Sequence, residues 1–381
     1  MRHTVIIPSY NTLPHLKNAI SSLYRYAPDV DIIVIDDAST DGTAEYIKSL
    51  KVFKAIVSKE RRGHTYWYDE GMRLAQTEIV SILHSDMIIG PGYFENMLKH
   101  LRRGKVVCAT RIEPPIHPAG REKIVRNFGI EAEEFKFDAF EKFVRLEMEE
   151  SKNVTTSGIF APWMLYKDDH LSIGGHDQRF APYGYEDSDI FNRWILNGYE
   201  MIQSRDALCY HMTCRGHRWN AGVGIENSDY KDTMERCRKE YIRKWGDWIQ
   251  NDEFQMPIIN PRYNRQISIF NGNKDLLALL EPWADVLYYD GIKQDVDNYL
   301  LKEQPNTVVD LAAKFNSQEQ EADIIIRVNG KTFNQQDYTF IQQLAAILEA
   351  NKPESGKFSL GTLEIQINKY YEEEIHSRVY L

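Results

Sequence analysis

The chain has little that would tie it to nucleic acid, to a lipid bilayer or to an oxidising compartment. Lys and Arg number 46 against 56 Asp and Glu, a formal net charge of −10. That balance argues against a nonspecific grip on nucleic acid or anionic lipid. Short basic runs such as Arg102 with Arg103 and residues 236–244 are diluted by acids and read as solvated helix faces. No apolar run approaches the roughly 20 residues needed to cross a bilayer, so no transmembrane segment is expected. Four cysteines (Cys108, Cys209, Cys214 and Cys237) show no CxxC spacing, and the first residues already form a strand pattern rather than a secretory leader. Reduced thiols in a cytoplasmic setting are expected, with peripheral attachment at the cytoplasmic membrane face left open. Without secretion the sequon at Asn153 is expected to go unused. A glycine-rich phosphate loop is also missing near the N-terminus, where "PSYNTLPHL" stands instead, and this argues against nucleotidyl transfer.

What is present describes a folded protein. A hydrophobic fraction of 43% and an aromatic fraction of 12% exclude disorder, and 381 residues are long for one core, so two domains are expected. Apolar runs at 4–7, 32–35, 53–57 and 79–83 alternate with helical spacing at 13–26, 43–50 and 68–75. This βαβαβαβ rhythm predicts an α/β fold with a mostly parallel sheet and helices on both faces. A loop around Pro114, Pro115 and Pro118 interrupts it. An amphipathic helix over 133–150 using Phe140, Phe143 and Leu146 follows, then a strand at 158–166, a helix at 186–197 and a short strand at 207–210. Residues 228–250 read as a closing helix. From about Pro257 a new strand and helix pattern begins, so we expect residues 1–256 as one domain and 257–381 as a smaller α/β accessory domain of unknown role.

In parallel sheets ligands bind beyond the carboxyl ends of the strands. Those ends carry Pro8-Ser9-Tyr10-Asn11, Asp36-Asp37 and His84-Ser85-Asp86. Asp37 and Asp86, from different strands, converge on one crevice, and like charges brought together need a cation or a hydrogen-bonding ligand. Oxygen ligands suit Mg²⁺ or Mn²⁺, and an imidazole tilts the choice to Mn²⁺. Such a cation would offset a diphosphate, with the ring of Tyr10 offered to a base. Glu186-Asp187 opens a helix, where carboxylates suit the macrodipole or can serve as a general base. Asp189 is expected to face solvent or to cap that helix, and Thr40 or Asp41 to cap the one before Thr43. Trp163 is expected in the core.

Five segments, "VIIPSYN", "IIVIDDASTDGT", "RRGHTYWYDEGMRLAQTEIVSILHSD", "IGGHDQRFAPYGYEDSDIFNRWILNGYE" and a later "YH", occur in an order and spacing that resembles glycosyltransferase family 2 over about residues 3–215. The resemblance implies a GT-A fold and inverting transfer of a sugar from a nucleotide-diphosphate sugar, with UDP favoured, to a hydroxyl of a glycan, lipid-linked or protein acceptor. By the same resemblance Pro8, Tyr10, Asp37, Arg62 and Gly63 contact the nucleotide, and His84, Ser85 and Asp86 occupy the Asp-x-Asp position. Asp86 and His211 would hold Mn²⁺ (or Mg²⁺). Asp187 would act as base, and Glu186 would contact the acceptor, with Tyr185 and Trp219 beside it.

The chain departs from the family pattern at three places. His84 replaces the first motif Asp, Tyr68 a common Arg and Asp69 a common Asn. The alternative reading, carried mainly by His84, is a nucleotide- or glycan-binding protein that catalyses nothing. The glycine-rich stretch around Trp219 is a candidate lid over the donor.

Overall fold

The computed structural model describes residues 2–219, 222–316, 318, 321–351 and 355–369. These fall into two compact units, Met1–Thr233 with Asn251–Pro257, and Met234–Gln250 with Ile258–Leu381.

The first unit begins with β1 (His3–Ser9), α1 (Leu13–Tyr26), β2 (Asp31–Asp36), α2 (Thr43–Lys48), β3 (Lys54–Val57), α3 (His64–Leu74) and β4 (Ile79–Ile82). Then come β5 (Met87–Ile89), α4 (Tyr93–His100), β6 (Lys105–Glu113), β7 (Lys123–Val125), α5 (Phe137–Glu150), β8 (Thr155–Ser157) and β9 (Trp163–Tyr166). α6 (Lys167–Ser172), α7 (Glu186–Leu196) and β10 (Glu200–His211) complete the sheet layers, and α8 (Tyr230–Trp245) leads into the second unit. Along the main path the strand order is β3-β2-β1-β4-β9-β6-β10-β5.

Period-two alternation explains how the sheet is covered on both sides. Val5 and Ile7 pack with Leu16, Ile20 and Leu23 of α1 and Met97 of α4. Ile6, between them, joins Trp67 and Met72 of α3 and Trp194 of α7 on the opposite side. Strands buried on both faces read as continuous apolar runs, as the "VII" of β1 does.

The parallel arrangement expected from the sequence holds for β1 to β4. Beyond β4 the sheet is mixed, because β9 runs antiparallel to both β4 and β6. Two reversals restore the original direction, so β6 and β10, parallel to each other, run the same way as β1. The carboxyl ends of β1, β2, β4, β6 and β10 therefore share one edge of the sheet.

Several local expectations change. α3 starts at His64 rather than Tyr68, because the turn before it is held in place by Asp37. α5 starts at Phe137 and buries Phe140 and Val144, while Leu146 is exposed. β10 is a twelve-residue strand, made less visible in the sequence by a register shift between Ser204 and Leu208. Asp189 does not face solvent: it is fully buried, accepting from Arg193 Nε at 2.9 Å. The cap of α2 is Gly42, in the left-handed region, rather than Thr40 or Asp41; Asp41, one residue earlier, accepts from the backbone N–H of Thr43 at 3.1 Å and from that of Leu13 at 2.8 Å.

The second unit holds a five-stranded sheet, β11 (Arg265–Phe270), β12 (Val286–Asp290), β13 (Ile324–Asn329), β14 (Gly356–Leu360) and β15 (Leu363–Ile367), in the order β12-β11-β13-β15-β14. Most of α8 belongs to this unit, so a single boundary at 256/257 is too simple. Ile242 joins the second core, and Arg243 is buried among Glu240, Glu281 and Glu303. Residues 251–257 return to the first unit.

Candidate active site

A cavity opens at the shared edge of the first sheet. Pro8, Tyr10, Asp37, Gly63, His84, Ser85, Asp86 and His211 all line it, so most of the expected donor-side residues come together. They reach it from the ends of β1, β2, β4 and β10 and from the turn before α3.

Asp37 is largely committed to the protein. Its Oδ1 accepts from the Arg62 backbone N–H at 2.8 Å and from Trp67 Nε1 at 2.6 Å, and its Oδ2 accepts from the Gly63 N–H at 2.8 Å. Only Oδ2 keeps a lone pair free for a ligand. The turn it holds is tight: Gly63 has φ +87°, and a Cβ there would lie 2.1 Å from the carbonyl oxygen of Pro182. Ser85 is tied in likewise, through a hydroxyl chain from Ser9 via Thr12 with both steps at 2.9 Å.

Arg62 does not enter the cavity; its guanidinium pairs with Glu60 at 2.5 Å on the exposed side. Arg61 lines it instead, with its guanidinium 3.9 Å from the centre of the Tyr10 ring and 3.0 Å from Asp229. The choice between the two arginines is made by the Gly63 turn, which no local sequence signal specifies.

Asp86 and His211 meet as expected, with His211 Nε2 3.6 Å from Asp86 Oδ1. The other imidazole nitrogen, Nδ1, bonds Glu113 Oε1 at 3.0 Å. Glu113, at the end of β6, also accepts from Arg111 at 2.7 Å and Lys123 at 2.8 Å. Burial alone would raise its carboxyl, but His211 and Arg111 hold it well below the usual carboxylate range. A carboxylate behind a histidine fixes the ring and turns its second nitrogen towards a ligand position. His84 lies beside the pair, and one donor atom from each of His84, Asp86 and His211 falls within 4.8 Å of the others. Hard and borderline donors at that spacing, with one ring already anchored, fit a divalent cation.

Glu186 and Asp187 open α7 after Tyr185, which sits in the left-handed region at φ +71°. Glu186 is buried and bonded to Nε2 of His64, a cavity-lining residue at the first position of α3. Burial would lower the imidazole of His64, yet the charges of Glu186 and Asp187 outweigh it and raise it. For Glu186 burial acts upward and His64 downward, and the outcome is a lowered carboxyl. Asp187, half-buried beside an ionised neighbour, is pushed up to about 6 by burial and by Glu186. Tyr68 also lines the cavity, and burial and the surrounding acids raise its hydroxyl well above the ordinary value.

Trp219 and Asp69 are both turned inward. Trp219 is buried, with its ring parallel to that of His117 (centroids 6.1 Å, 9°) and the Arg218 guanidinium 5.0 Å from its centre. The nearby Gly216 and His217 line the cavity instead, consistent with the loop's expected place over it; residues 220–221 lie outside the described residues. Asp69, the replacement for a common Asn, is a clamp. Its Oδ1 meets His170 Nε2 at 2.9 Å and His176 Nδ1 at 2.7 Å, and its Oδ2 accepts from the His176 backbone at 2.8 Å. Two ligands of one ion stand about 3 Å apart or more, so these shorter contacts to a single oxygen are hydrogen bonds. The burial of Trp163 is as expected.

Sequence reasoning missed His64, Tyr68 and Glu113. His64 had one usable signal, a polar ring directly after the Arg62-Gly63 turn. Glu113 had another, an acid ending the apolar strand "VVCATRIE".

Residues 4–165 match the family model "Glycosyl transferase family 2", and residues 144–215 match "N-terminal domain of galactosyltransferase". The first unit is thus similar, over residues 4–165, to glycosyltransferase family 2. It is 26% identical over 233 residues to validoxylamine A glucosyltransferase of Streptomyces hygroscopicus subsp. jinggangensis, covering 54% of each chain. It is also 23% identical over 256 residues to an uncharacterized glycosyltransferase of Bacillus subtilis, covering 55% of this chain and 64% of that one. The chain therefore spans between half and two thirds of the length of these relatives. Among solved structures, a mannosyltransferase from Pyrobaculum calidifontis in complex with GDP-Man and Mn²⁺ superposes with a TM-score of 0.40 at 21% identity, over 59% of this chain and 58% of that one. Among the described residues no helix is long and apolar enough to cross a membrane.

Proposed function

We propose that the chain is an inverting glycosyltransferase that moves a sugar from a nucleotide-diphosphate donor, with UDP favoured, to a hydroxyl of a glycan, lipid-linked or protein acceptor. The observation that carries this reading is the single cavity in which the ends of β1, β2, β4 and β10 present Tyr10, Asp37, Asp86 and His211 together. Tyr10, under the Arg61 guanidinium, suits a planar base, and the free lone pair of Asp37 suits a base or ribose hydrogen. Asp86 and His211 would hold Mn²⁺ or Mg²⁺, which when bound offsets the charge developing on the diphosphate. Tyr68, protonated at neutral pH, offers a hydroxyl donor to the same end of the donor.

Asp187 is the base in this reading. At about 6 its carboxyl is ionised at neutral pH yet basic enough to take the acceptor's proton as that oxygen attacks the anomeric carbon. His64 keeps Glu186 anionic, and the charge of Glu186 in turn raises Asp187, so the two acids are separated in role.

A panel of UDP-, GDP- and dTDP-sugars tests the proposal. Metal-dependent hydrolysis of one of them, lost in Asp187→Asn, is expected. Tight donor binding with no turnover of any sugar would instead support the non-catalytic binding protein.

A further inference from the structure

His84 stands where the family pattern has an acid, and its surroundings suggest what the ring does. The imidazole is nearly parallel to the rings of Tyr68 and His64, at 20° and 19° with centroids 6.4 Å away, and edge-on to His211 at 69° and 5.7 Å. The ring lines the cavity, and its two nitrogens lie in the ring plane. Neither nitrogen is hydrogen-bonded to a protein group among the described residues; the one bond His84 makes is through its backbone carbonyl, to the Met87 N–H at 3.1 Å. A half-buried imidazole kept only for packing would normally satisfy at least one nitrogen. This one instead has a donor atom within 4.8 Å of those of Asp86 and His211.

We infer that His84 is a third ligand of the cation at Asp86 and His211, and that the resulting set of two imidazoles and one carboxylate selects Mn²⁺ or a later first-row divalent ion over Mg²⁺. This rests on the reading that a divalent cation binds there at all. The selectivity follows from the donor count. Mg²⁺ binds oxygen and gives up water reluctantly, and this set offers it one anionic side chain. Imidazole nitrogen adds affinity along the series from Mn²⁺ towards Cu²⁺ and adds little for Mg²⁺. An acid at position 84 would have made the site oxygen-rich and far more tolerant of Mg²⁺.

The test uses the purified full chain, stripped with chelator and titrated with Mn²⁺, Co²⁺ or Mg²⁺ alone. The wild-type chain is expected to bind Mn²⁺ on the order of tenfold or more tighter than Mg²⁺. His84→Asn should weaken Mn²⁺ and Co²⁺ by about tenfold or more and leave Mg²⁺ within about threefold, whereas His84→Asp should raise Mg²⁺ affinity and collapse the preference. Electron spin echo spectra of the Mn²⁺-loaded chain should show couplings to two imidazole nitrogens, reduced to one in His84→Asn. His84→Gln serves as a second variant, and circular dichroism melts check that each variant is folded. An unchanged nitrogen count and an unchanged Mn²⁺ to Mg²⁺ ratio in folded His84 variants would overturn the assignment of His84. Unaltered binding in both Asp86→Ala and His211→Ala would overturn the cation reading beneath it.

Discussion

Replacing Asp187 by Asn should make the first unit more stable while abolishing sugar transfer. Burial and the charge of Glu186 raise the Asp187 carboxyl from its ordinary 3.8 to about 6. A rise of about two pH units corresponds to about 3 kcal/mol against the ionised form, an upper figure because a half-buried side chain is partly screened by solvent. Above pH 6 the group is ionised in both folded and unfolded chains, so the folded state carries the whole penalty. As the pH falls from about 6 towards 4 the folded carboxyl takes up its proton first, and the penalty fades. Asparagine carries no such penalty at any pH. The variant should therefore melt several degrees higher at pH 8, at roughly 2–4 °C per kcal/mol for a unit of this size, and its advantage should shrink at pH 5. Hydrolysis of the accepted nucleotide sugar should drop by roughly 10²- to 10⁴-fold. Melting curves of both proteins at the two pH values, beside the hydrolysis assay, measure each part. A variant less stable at pH 8, or a gain that ignores pH, would refute the reasoning about Asp187.

The remaining predictions concern the supports of the site. Glu113→Gln removes the charge behind His211, and Mn²⁺ affinity should fall by about 10- to 100-fold; an unchanged titration would show that Glu113 does not orient the ring. Gly63→Ala places a Cβ 2.1 Å from a backbone oxygen at φ +87°, and should cost more than about 1 kcal/mol together with donor affinity, read by melting and by nucleotide binding. Asp69→Ala strands His170 and His176 in the core and should cost roughly 3 kcal/mol or more in denaturant unfolding, while Asp69→Asn, which keeps an accepting oxygen, should cost less.

The fold was readable where one local period carries the message. Val5, Ile6 and Ile7 announce a strand covered on both faces, and Leu16, Ile20 and Leu23 mark the inner stripe of α1. Strand ends bearing Asp37, Asp86 and His211 could be picked out for the same reason, since each acid or imidazole interrupts an apolar run. β10 was seen only in its last residues, because the bulge between Ser204 and Leu208 breaks its alternation.

By itself, then, the sequence determined the alternating strands and helices of the first unit and the polar residues at their ends, because those patterns belong to neighbours along the chain. Tertiary structure alone decided which polar groups act together. His64 meets Glu186 across 122 positions, and His211 meets Glu113 across 98. The second pairing exists because β9, reversed between β4 and β6, returns β6 and β10 to the direction of β1 and brings their ends to one edge. The same three-dimensional packing put Arg61 rather than Arg62 in the cavity and closed Trp219 against His117. Strand order is a property of the whole sheet, and no window of sequence contains it.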